Sequence, residues 1–322
     1  MDNNILSNYY APLLEQHDFK PVECPEKFSP AGQCWEIAPN VGSGYYWIYA
    51  KRDMFAVKIH DFFFHNDYCL DMEIPECISI ERYDSISGEE LDPYRRLTAG
   101  NIQTIVGGKH YRALIHKRIP IHSVSIEIFP AFYEGFLKTH YPEDFFDLPA
   151  AFQSIDQATD FPAMSKLLFE VENYRGDGAA AALLYEAKVT EAIALVVDAW
   201  KRQSRKTERP LSQEDLHGLQ NVASYIADHY AFDIPLERLA SIACMSESKL
   251  KGCFKRRFGC TITQYIQGRR MSQAEHLLID TDFTMGQIAQ MIGYTTSSRF
   301  AELFKKSTGI LPIEYRKIAR DT

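Results

Sequence analysis

One sequence pattern occurs twice in the last third of the chain, and this repeat constrains the fold more than any other feature. The first copy, LASIACMSESKLKGCFKRRFG, occupies Leu239 to Gly259, and the second, IAQMIGYTTSSRFAELFKKSTG, occupies Ile288 to Gly309. Each copy contains an apolar stripe at helical spacing, a short break, a second apolar stripe and a final glycine. Each copy is therefore predicted to form two short helices joined by a tight turn.

The two copies correspond residue by residue, which indicates one structural unit built twice. A small residue in the first helix lets the second helix cross close to it. A glycine after the second helix permits the left-handed conformation that ends a helix. This arrangement predicts two helix-turn-helix units. With one extra residue in the turn of the second copy, the matched pairs are Ala240 with Ala289, Cys244 with Gly293, Ser248 with Ser298, Leu250 with Phe300, Phe254 with Phe304 and Gly259 with Gly309.

The second helix of each unit carries polar and basic residues opposite its apolar stripe. In a helix-turn-helix this helix enters the major groove of DNA, where Lys and Arg bind phosphates and Arg, Ser or Thr contact base edges. The first copy is richer in cations, so we expect it to supply phosphate affinity and the second copy to supply more base contacts. The predicted DNA-contacting residues are Ser248, Lys249, Lys251, Gly252, Lys255 and Arg256 in the first copy, and Thr296, Ser297, Ser298, Arg299, Lys305 and Lys306 in the second.

The segment between the two units, TITQYIQGRRMSQAEHLLID, is predicted to be a single connecting helix. A rigid connector would hold the two reading helices about one duplex turn apart, roughly 34 Å. Its apolar stripe consists of Ile262, Ile266, Leu277 and Leu278.

The region from about Leu211 to Arg320 resembles the DNA-binding domain of the AraC/XylS family of transcriptional regulators. The resemblance covers about a third of the chain and implies a sequence-specific DNA-binding regulator. In this family the N-terminal domain commonly binds a small-molecule effector or mediates dimerisation. The resemblance thus implies four partners: double-stranded DNA, an effector, a second copy of the chain and RNA polymerase. It rests on both copies, the connector and a closing signature of Gly293, Tyr294, Phe300, Phe304, Lys305, Lys306, Gly309, Pro312, Tyr315 and Arg316.

Charge is distributed unequally along the chain. The net charge is −8, but residues 211–322 contain 14 Lys and Arg against 12 Asp and Glu, a balance of +2. Residues 1–210 contain 21 against 31, a balance of −10. Because a phosphate backbone responds to local charge, the acidic total is compatible with a nucleic-acid binder. The asymmetry predicts two domains with different partners.

Residues 43–129 are predicted to be rich in strands. Runs such as MFAVKIHDFFFH and IHSVSIEIF are dense in β-branched and aromatic residues, and Val124, Ile126 and Ile128 alternate with polar residues. We expect an antiparallel, cupin-like barrel or sandwich. From residue 130 to residue 200 the period becomes helical. The predicted fold class is α+β and multidomain, with a β-rich N-terminal domain that also contains helices and an all-α C-terminal domain with two helix-turn-helix motifs.

The polar and basic run KRQSRKTERP at 201–210 is the best candidate for a linker. The expected organisation is an effector-binding or dimerisation domain at 1–200 and a DNA-binding domain at 211–322. Two interpretations stay open for the helix from Ala180 to Trp200: its apolar stripe packs on its own domain, or it forms a dimer interface. The stripe consists of Val189, Ile193, Val196 and Trp200.

Aromatic residues are concentrated in the first predicted strands. An interior with aromatic walls and a few polar groups suits a small apolar ligand. His122 has the same strand parity as Val124 and Ile126, so it is expected to point inward with them. The alternative is a constitutive dimeric regulator that binds no effector. The predicted effector-binding residues are Tyr45, Trp47, Tyr49 and His122.

A barrel enzyme fused to a DNA-binding module is the second alternative. A metal-dependent barrel would need a His-x-His pair with further ligands, and the chain has neither that pair nor a CxxC pair. We therefore predict no metal, no cofactor and no catalytic residue. No apolar run approaches the ~20 residues of a membrane-spanning helix. The N-terminus lacks a signal-peptide pattern, and seven scattered cysteines fit a reducing compartment, so a cytoplasmic location without membrane contact is expected.

Overall fold

The computed structural model of the protein describes residues 4–92, 94–141, 147–156, 158, 161–204 and 211–320. The chain divides into two compact units, Met1–Arg205 and Lys206–Thr322, called here the N-terminal unit and the C-terminal unit. The N-terminal unit contains strands and helices, and the described residues of the C-terminal unit form helices and no strand. The predicted α+β fold class is therefore confirmed.

The N-terminal unit contains two antiparallel sheets. One sheet has seven strands in the order β1-β2-β3-β4-β11-β6-β9, and the other has four strands in the order β5-β10-β7-β8. Of the barrel and the sandwich that the sequence left open, the structure shows a sandwich. The strands within the described residues are β1 (Phe19–Val22), β2 (Gln33–Ile37), β3 (Gly42–Lys51), β4 (Phe55–Phe64), β5 (Tyr68–Ile74), β6 (Ile78–Ser85), β7 (Gly88–Leu91), β8 (Tyr94–Leu97), β9 (Ile102–Val106), β10 (Lys109–Ile115) and β11 (Ile121–Ile128).

Two strands, β1 and β2, precede the region that the sequence marked as strand-rich. They were missed because both are short and β1 contains Pro21, a residue that is depleted in strands. Pro21 is tolerated there because β1 lies at the edge of the seven-stranded sheet.

The alternation of side chains gives the seven-stranded sheet two different sides. On β11, Val124 and Ile126 belong to an apolar core that includes residues of the helices beyond residue 130. Ser123, Ser125 and Glu127 point to the opposite side of the same strand and are also buried. That side faces a second core built from both sheets. We call the two sides the helix-facing side and the inter-sheet side.

Helices begin and end the N-terminal unit. A short π-helical segment, Leu6–Tyr10, leads into α1, and another, Ala131–Leu137, leads into α2. The last helix extends four residues into the predicted linker, and residues 205–210 of that linker lie outside the described residues. The helices are α1 (Ala11–Gln16), α2 (Lys138–His140), α3 (Leu148–Ser154), α4 (Pro162–Glu172) and α5 (Gly178–Ser204).

The apolar stripe of α5 packs within its own unit. Val189 and Val196 are fully buried, and Ile193 is 5% exposed, in the core on the helix-facing side. Trp200 packs against the same core. Because buried side chains have no surface to offer a second copy, the dimer-interface interpretation of this stripe is wrong. Dimerisation itself stays a prediction.

The C-terminal unit is built from seven helices within its described residues. The predicted first unit is α7 with α8, the second is α10 with α11, and α9 is the predicted connector. Side-chain caps fix the starts of five of these helices, through Ser212, Ser246, Thr261, Thr284 and Thr296. The helices are α6 (Gln213–His229), α7 (Leu236–Ile242), α8 (Glu247–Phe258), α9 (Ile262–Asp280), α10 (Met285–Met291), α11 (Ser297–Thr308) and α12 (Pro312–Arg320).

The turn of each helix-turn-helix contains one residue in the left-handed region. In the second unit this residue is Gly293, with φ +85°, and in the first it is Cys244, with φ +54°. A Cβ atom at position 293 would lie 2.2 Å from the carbonyl oxygen of Ala231. A non-glycine residue in this conformation costs about 1–2 kcal/mol. The turn of the first unit therefore accepts a side chain at this position, whereas the turn of the second unit requires glycine.

We predict opposite effects from two matched substitutions in these turns. Gly293→Ala lowers the free energy of unfolding of the C-terminal unit by at least about 2 kcal/mol, because strain and a backbone clash act together. Cys244→Gly raises it by up to about 1 kcal/mol, since the relieved strain exceeds the added entropy of the unfolded chain. Urea denaturation followed by circular dichroism measures both. A stabilising Gly293→Ala would contradict the assigned turn geometry.

Candidate functional site

The helices α8 and α11, called here the reading helices, begin and end in the same way. Ser246 Oγ accepts a hydrogen bond from the Lys249 amide at 3.3 Å, and Thr296 Oγ1 accepts one from the Arg299 amide at 3.3 Å. Thr296, a predicted DNA contact, is exposed and also caps α11. Left-handed glycines follow both helices, with φ 73° and 88°.

Aromatic residues anchor the inner side of each reading helix. Phe254 and Phe304 are fully buried. Phe254 meets the ring of Tyr265 edge-on with centroids 5.3 Å apart, and Phe304 meets Tyr315 in the same way at 5.2 Å. These phenylalanines therefore position the helices and are not available to stack on bases.

Each reading helix presents four polar or basic residues around one central exposed position. The twelve predicted DNA-contacting residues are all exposed. At about 100° per residue, the four surrounding side chains lie about 40° or 60° to either side of the centre. The surrounding residues are Ser248, Lys249, Lys255 and Arg256 around Gly252 in α8, and Ser298, Arg299, Lys305 and Lys306 around Glu302 in α11.

The sequence prediction missed Glu302, although it lies at the centre of the exposed side of α11. A carboxylate is not expected on a surface that meets phosphates, so the composition of the helix gave no reason to choose it. The correspondence between the two copies identifies it, because Glu302 occupies the position in α11 that is equivalent to Gly252 in α8.

Two cations of the reading helices have carboxylate partners. Lys249 Nζ lies 2.7 Å from Asp215 Oδ1, and this contact raises the pKa of Lys249 and lowers that of Asp215. Arg299 Nη1 lies 2.8 Å from Glu302 Oε2. A phosphate or base would have to compete with these exposed ion pairs, which are weak in water.

The guanidinium of Arg270 joins the end of α6 to the turn of the second helix-turn-helix unit. Arg270 lies on α9, and its Nε and Nη2 donate to the carbonyl oxygens of Tyr230 and Phe232 at 2.7 and 3.0 Å. Its Nη1 donates to the carbonyl oxygen of Gly293, in the turn of the second unit, at 3.0 Å. One side chain thus holds the end of α6 and the turn before α11.

Arg320 repeats this role at the corresponding position of α12. Its Nε donates to the carbonyl oxygen of Ile279 at 2.9 Å, and its Nη2 donates to that of Thr281. These carbonyls correspond to those of Tyr230 and Phe232 in the first copy. The internal repeat therefore extends beyond the motif found in the sequence to the helices that flank it.

We predict that Arg270→Lys lowers the free energy of unfolding of the C-terminal unit by about 2–4 kcal/mol. A lysine ammonium cannot reach three carbonyls in a fixed fork, and each charge-assisted hydrogen bond contributes about 1.5–3 kcal/mol. Urea denaturation followed by circular dichroism measures the loss. Tryptophan fluorescence is the control, since Trp35, Trp47 and Trp200 all lie in the N-terminal unit. An unchanged midpoint would show that Arg270 is dispensable.

The predicted effector-binding residues lie on the helix-facing side. Trp47 Nε1 donates to the carbonyl oxygen of Ser29 at 2.8 Å, and Trp47 and Tyr45 belong to the helix-facing core. Tyr49 packs on the ring of Tyr185 with centroids 4.7 Å apart. Because α5 and its neighbours cover this side of the sheet, these aromatic side chains pack against helices, and their role in effector binding stays a prediction.

His122 shares the side of Val124, as its parity predicted, but that side carries helices. His122 Nε2 lies 2.7 Å from Glu172 Oε1 of α4, and Nδ1 lies 3.7 Å from Asp61 Oδ1 of β4. The contact with Asp61 and then the hydrogen bond to Glu172 raise the pKa of His122 to about 10. His122 therefore ties α4 to the sheet and does not point into the inter-sheet space.

The inter-sheet side carries polar residues that the sequence analysis did not select. Four of them form one row across adjacent strands. Two atoms of this row, Ser125 Oγ and Gln103 Nε2, are buried and have no hydrogen-bond partner among the described residues. We call the set the inter-sheet polar cluster. It consists of the row Lys58, Ser125, Glu81 and Gln103, together with His60, Tyr83, Ser123 and Glu127.

The rest of this cluster is internally bonded. Ser123 Oγ and Tyr83 Oη donate to the two oxygens of Glu81 at 2.7 and 2.9 Å. Lys58 forms an ion pair with Glu127. Burial opposes ionisation of Glu81, but the hydrogen bond from His60 and nearby charges lower its pKa overall. Charged and polar groups that bond to one another thus lie beside the two unpaired atoms.

A cluster of possible metal ligands lies on the helix-facing side. Ligand atoms of Asp84, His122 and Glu172 lie within 4.8 Å of one another. Arg82 donates to both carboxylate oxygens of Asp84 at 3.0 and 2.9 Å and lies 3.4 Å from Glu172. The guanidinium already supplies positive charge between these carboxylates. This cluster could not be predicted from the sequence because its members come from three separate elements.

The ion pairs of His122 predict a specific pH dependence. Because the folded pKa of about 10 exceeds the unfolded value of about 6.5, the stabilisation is fully present below pH 6.5 and is lost as the pH rises through 10. We expect the stability difference between the protein and His122→Gln to shrink across this range, measured by urea unfolding and tryptophan fluorescence. A difference that grew with pH would contradict the assigned ion pairs. Glu172→Gln should narrow the pH range over which this difference is lost, because it removes one of the two carboxylates that raise the pKa of His122.

Among the described residues, no helix is long and apolar enough to cross a membrane.

Comparison with known proteins identifies the C-terminal unit. A family model described as a helix-turn-helix domain matches residues 239–318. An uncharacterized HTH-type transcriptional regulator, YisR of Bacillus subtilis, is 35% identical over 96 residues, which are 30% of this chain and 33% of that protein. The arabinose operon regulatory protein of Escherichia coli is 32% identical over 101 residues, 30% of this chain and 34% of that protein.

One solved structure is also similar to part of this chain. The C-terminal domain of AraT, a response regulator from Geobacillus stearothermophilus, is 29% identical, with a TM-score of 0.30, and the match covers 34% of this chain and 88% of that one. The matches span about a third of the length of the two curated relatives. Over residues 239–318, within its C-terminal unit, this chain is similar to the helix-turn-helix domain family.

Proposed function

We propose that the protein is a sequence-specific DNA-binding regulator of transcription that binds a small polar effector between its two sheets. The observation that carries the DNA-binding part is the equivalence of the reading helices. Two exposed, mostly cationic helix surfaces occupy matching positions in two repeated units, and Arg270 ties the end of α6 to the turn of the second unit. Relatives of the C-terminal unit are named transcriptional regulators, which supports the same role.

Several further parts of the proposal rest on the sequence and on the resemblance. The DNA-binding domain is proposed to span 211–322 and the effector domain 1–200. A homodimer, contact with RNA polymerase and a cytoplasmic location complete the proposal, without an enzymatic activity.

The DNA-binding part is tested by selection from a random duplex library with the full-length protein, followed by binding titrations. The expected result is a preferred sequence with two half-sites spaced by about one helical turn, roughly 34 Å. A library that shows no enrichment would overturn the proposal.

We predict different roles for Lys255 and Arg299 on the selected duplex. Lys255→Ala should weaken all sequences about equally and reduce the slope of log affinity against log salt by roughly 0.9, the contribution of one phosphate contact. Arg299→Ala should cost about 1–3 kcal/mol on the selected sequence and relax the preference at one base pair. Titrations at several salt concentrations, on selected and scrambled duplexes, separate the two. If Arg299→Ala weakened binding to all sequences equally and Lys255→Ala weakened binding only to the selected sequence, the assigned roles would be reversed.

The effector part of the proposal rests on the inter-sheet polar cluster. A buried polar atom without a partner costs about 1–3 kcal/mol, so a protein keeps one where another requirement outweighs stability. Ser125 Oγ and Gln103 Nε2 both lie in the row that includes Glu81. A small molecule with hydrogen-bonding groups would pair with these atoms. This location replaces the four residues chosen from the sequence.

We predict that Gln103→Leu raises the free energy of unfolding of the N-terminal unit by about 1–2 kcal/mol, because it removes an unpaired buried amide at similar volume. The same substitution should abolish any thermal shift that small metabolites induce in the unmodified protein. Tryptophan fluorescence during urea unfolding measures the first effect. A loss of stability would show that the amide is paired in the folded protein and would favour the alternative of a regulator without effector.

A further inference from the structure

The central position of the reading surface differs between the two helices. In α11 the centre is Glu302, with 67% of its side chain exposed, and in α8 the equivalent position is Gly252. The surrounding residues match in kind, since each centre has one serine and three cations around it. The centre is therefore the main chemical difference between two otherwise similar DNA-facing surfaces.

A carboxylate at this position is unfavourable for general affinity to DNA. It would approach the phosphates of the duplex and be repelled by them. Arg299 compensates part of this charge, with Nη1 2.8 Å from one carboxylate oxygen. Since an ionised carboxylate only accepts hydrogen bonds, it favours donors and repels acceptors. A residue of this kind contributes discrimination at the expense of affinity.

We propose that Glu302 determines specificity by accepting a hydrogen bond from the N4 amino group of a cytosine in the major groove. This inference rests on the proposed DNA-binding function. Cytosine presents only an amino donor at this edge, adenine presents its amino donor beside the acceptor N7, and guanine and thymine present acceptors that the carboxylate repels. The ion pair with Arg299 orients the carboxylate on the helix surface. Glu302 is thus the centre of base recognition by α11.

The first reading helix lacks this function. A Cβ atom added at Gly252 would meet nothing within 4 Å, so a side chain fits there without steric conflict. With no side chain at its centre, α8 contacts the duplex through the surrounding cations and serine. The two half-sites are therefore unequal, and discrimination by a central side chain is confined to the half bound by α11.

The test compares the full-length protein with Glu302→Ala and Glu302→Gln on sequences selected from a random duplex library. The selected sequence should contain one base pair at which cytosine is preferred roughly 5- to 150-fold. Glu302→Ala should abolish this preference and bind unselected duplexes several-fold more tightly. Glu302→Gln should shift the preference to adenine, which Gln binds through N6 and N7.

Glu247→Gln is the matched control. Glu247 is an exposed carboxylate on α8, and it lies about 140° from the centre of the reading surface. The Glu247→Gln substitution removes the same charge as Glu302→Gln. The Glu247→Gln protein should therefore bind unselected duplexes somewhat more tightly, with every base preference unchanged. Gly252→Glu is the reciprocal variant and should create a second cytosine preference in the other half-site.

The outcomes separate this inference from the proposed function. If the unmodified protein enriches no sequence, the proposed function fails and the inference fails with it. If it enriches a sequence and both Glu302 variants enrich the same one, the function stands and the inference is wrong. A change of preference in Glu247→Gln at the same base pair would also overturn it, because the effect would then come from charge alone.

Discussion

The side chain of Arg270 forms the interaction on which the DNA-binding surface depends. Its three hydrogen bonds join the end of α6, the loop after it and the turn of the second unit. Backbone carbonyls at a helix end and in a turn are otherwise short of donors, so a planar guanidinium with several N–H groups satisfies them together. The relative placement of the reading helices is thus governed by a residue that lies on neither of them.

The C-terminal unit could be predicted from the sequence because its determinants are local. A serine or threonine three residues before its amide partner starts a helix, and a glycine at the right spacing ends one. Ser246, Thr284 and Gly259 act in the structure as their positions indicate. The carbonyl contacts of Arg270 and Arg320 could not be predicted, since they join residues 23 to 41 positions apart. Their repetition becomes visible only once the flanking helices are placed.

The N-terminal unit could be predicted only in part from the pattern of its sequence. Alternation in β11 separates Ser123 from Val124 but does not say what covers each side, because that depends on the topology of the whole unit. Topology places helices over Val124 and the second sheet over Ser123. His122 was therefore assigned to the correct side and the wrong surroundings. The stripe of α5 raised the same ambiguity, since an internal core and an interface have the same period.

The two-sided construction of β11 has a consequence for how such a protein changes over generations. Val124 and Ile126 maintain the folding core, while their immediate neighbours Ser123 and Ser125 face the polar interior. Substitutions at alternate positions of one strand are thus exposed to separate selection pressures. Substitutions at Ser123 and Ser125 can change the inter-sheet polar cluster while Val124 and Ile126 preserve the folding core. The alternation of a single strand thus separates two groups of side chains that can change independently.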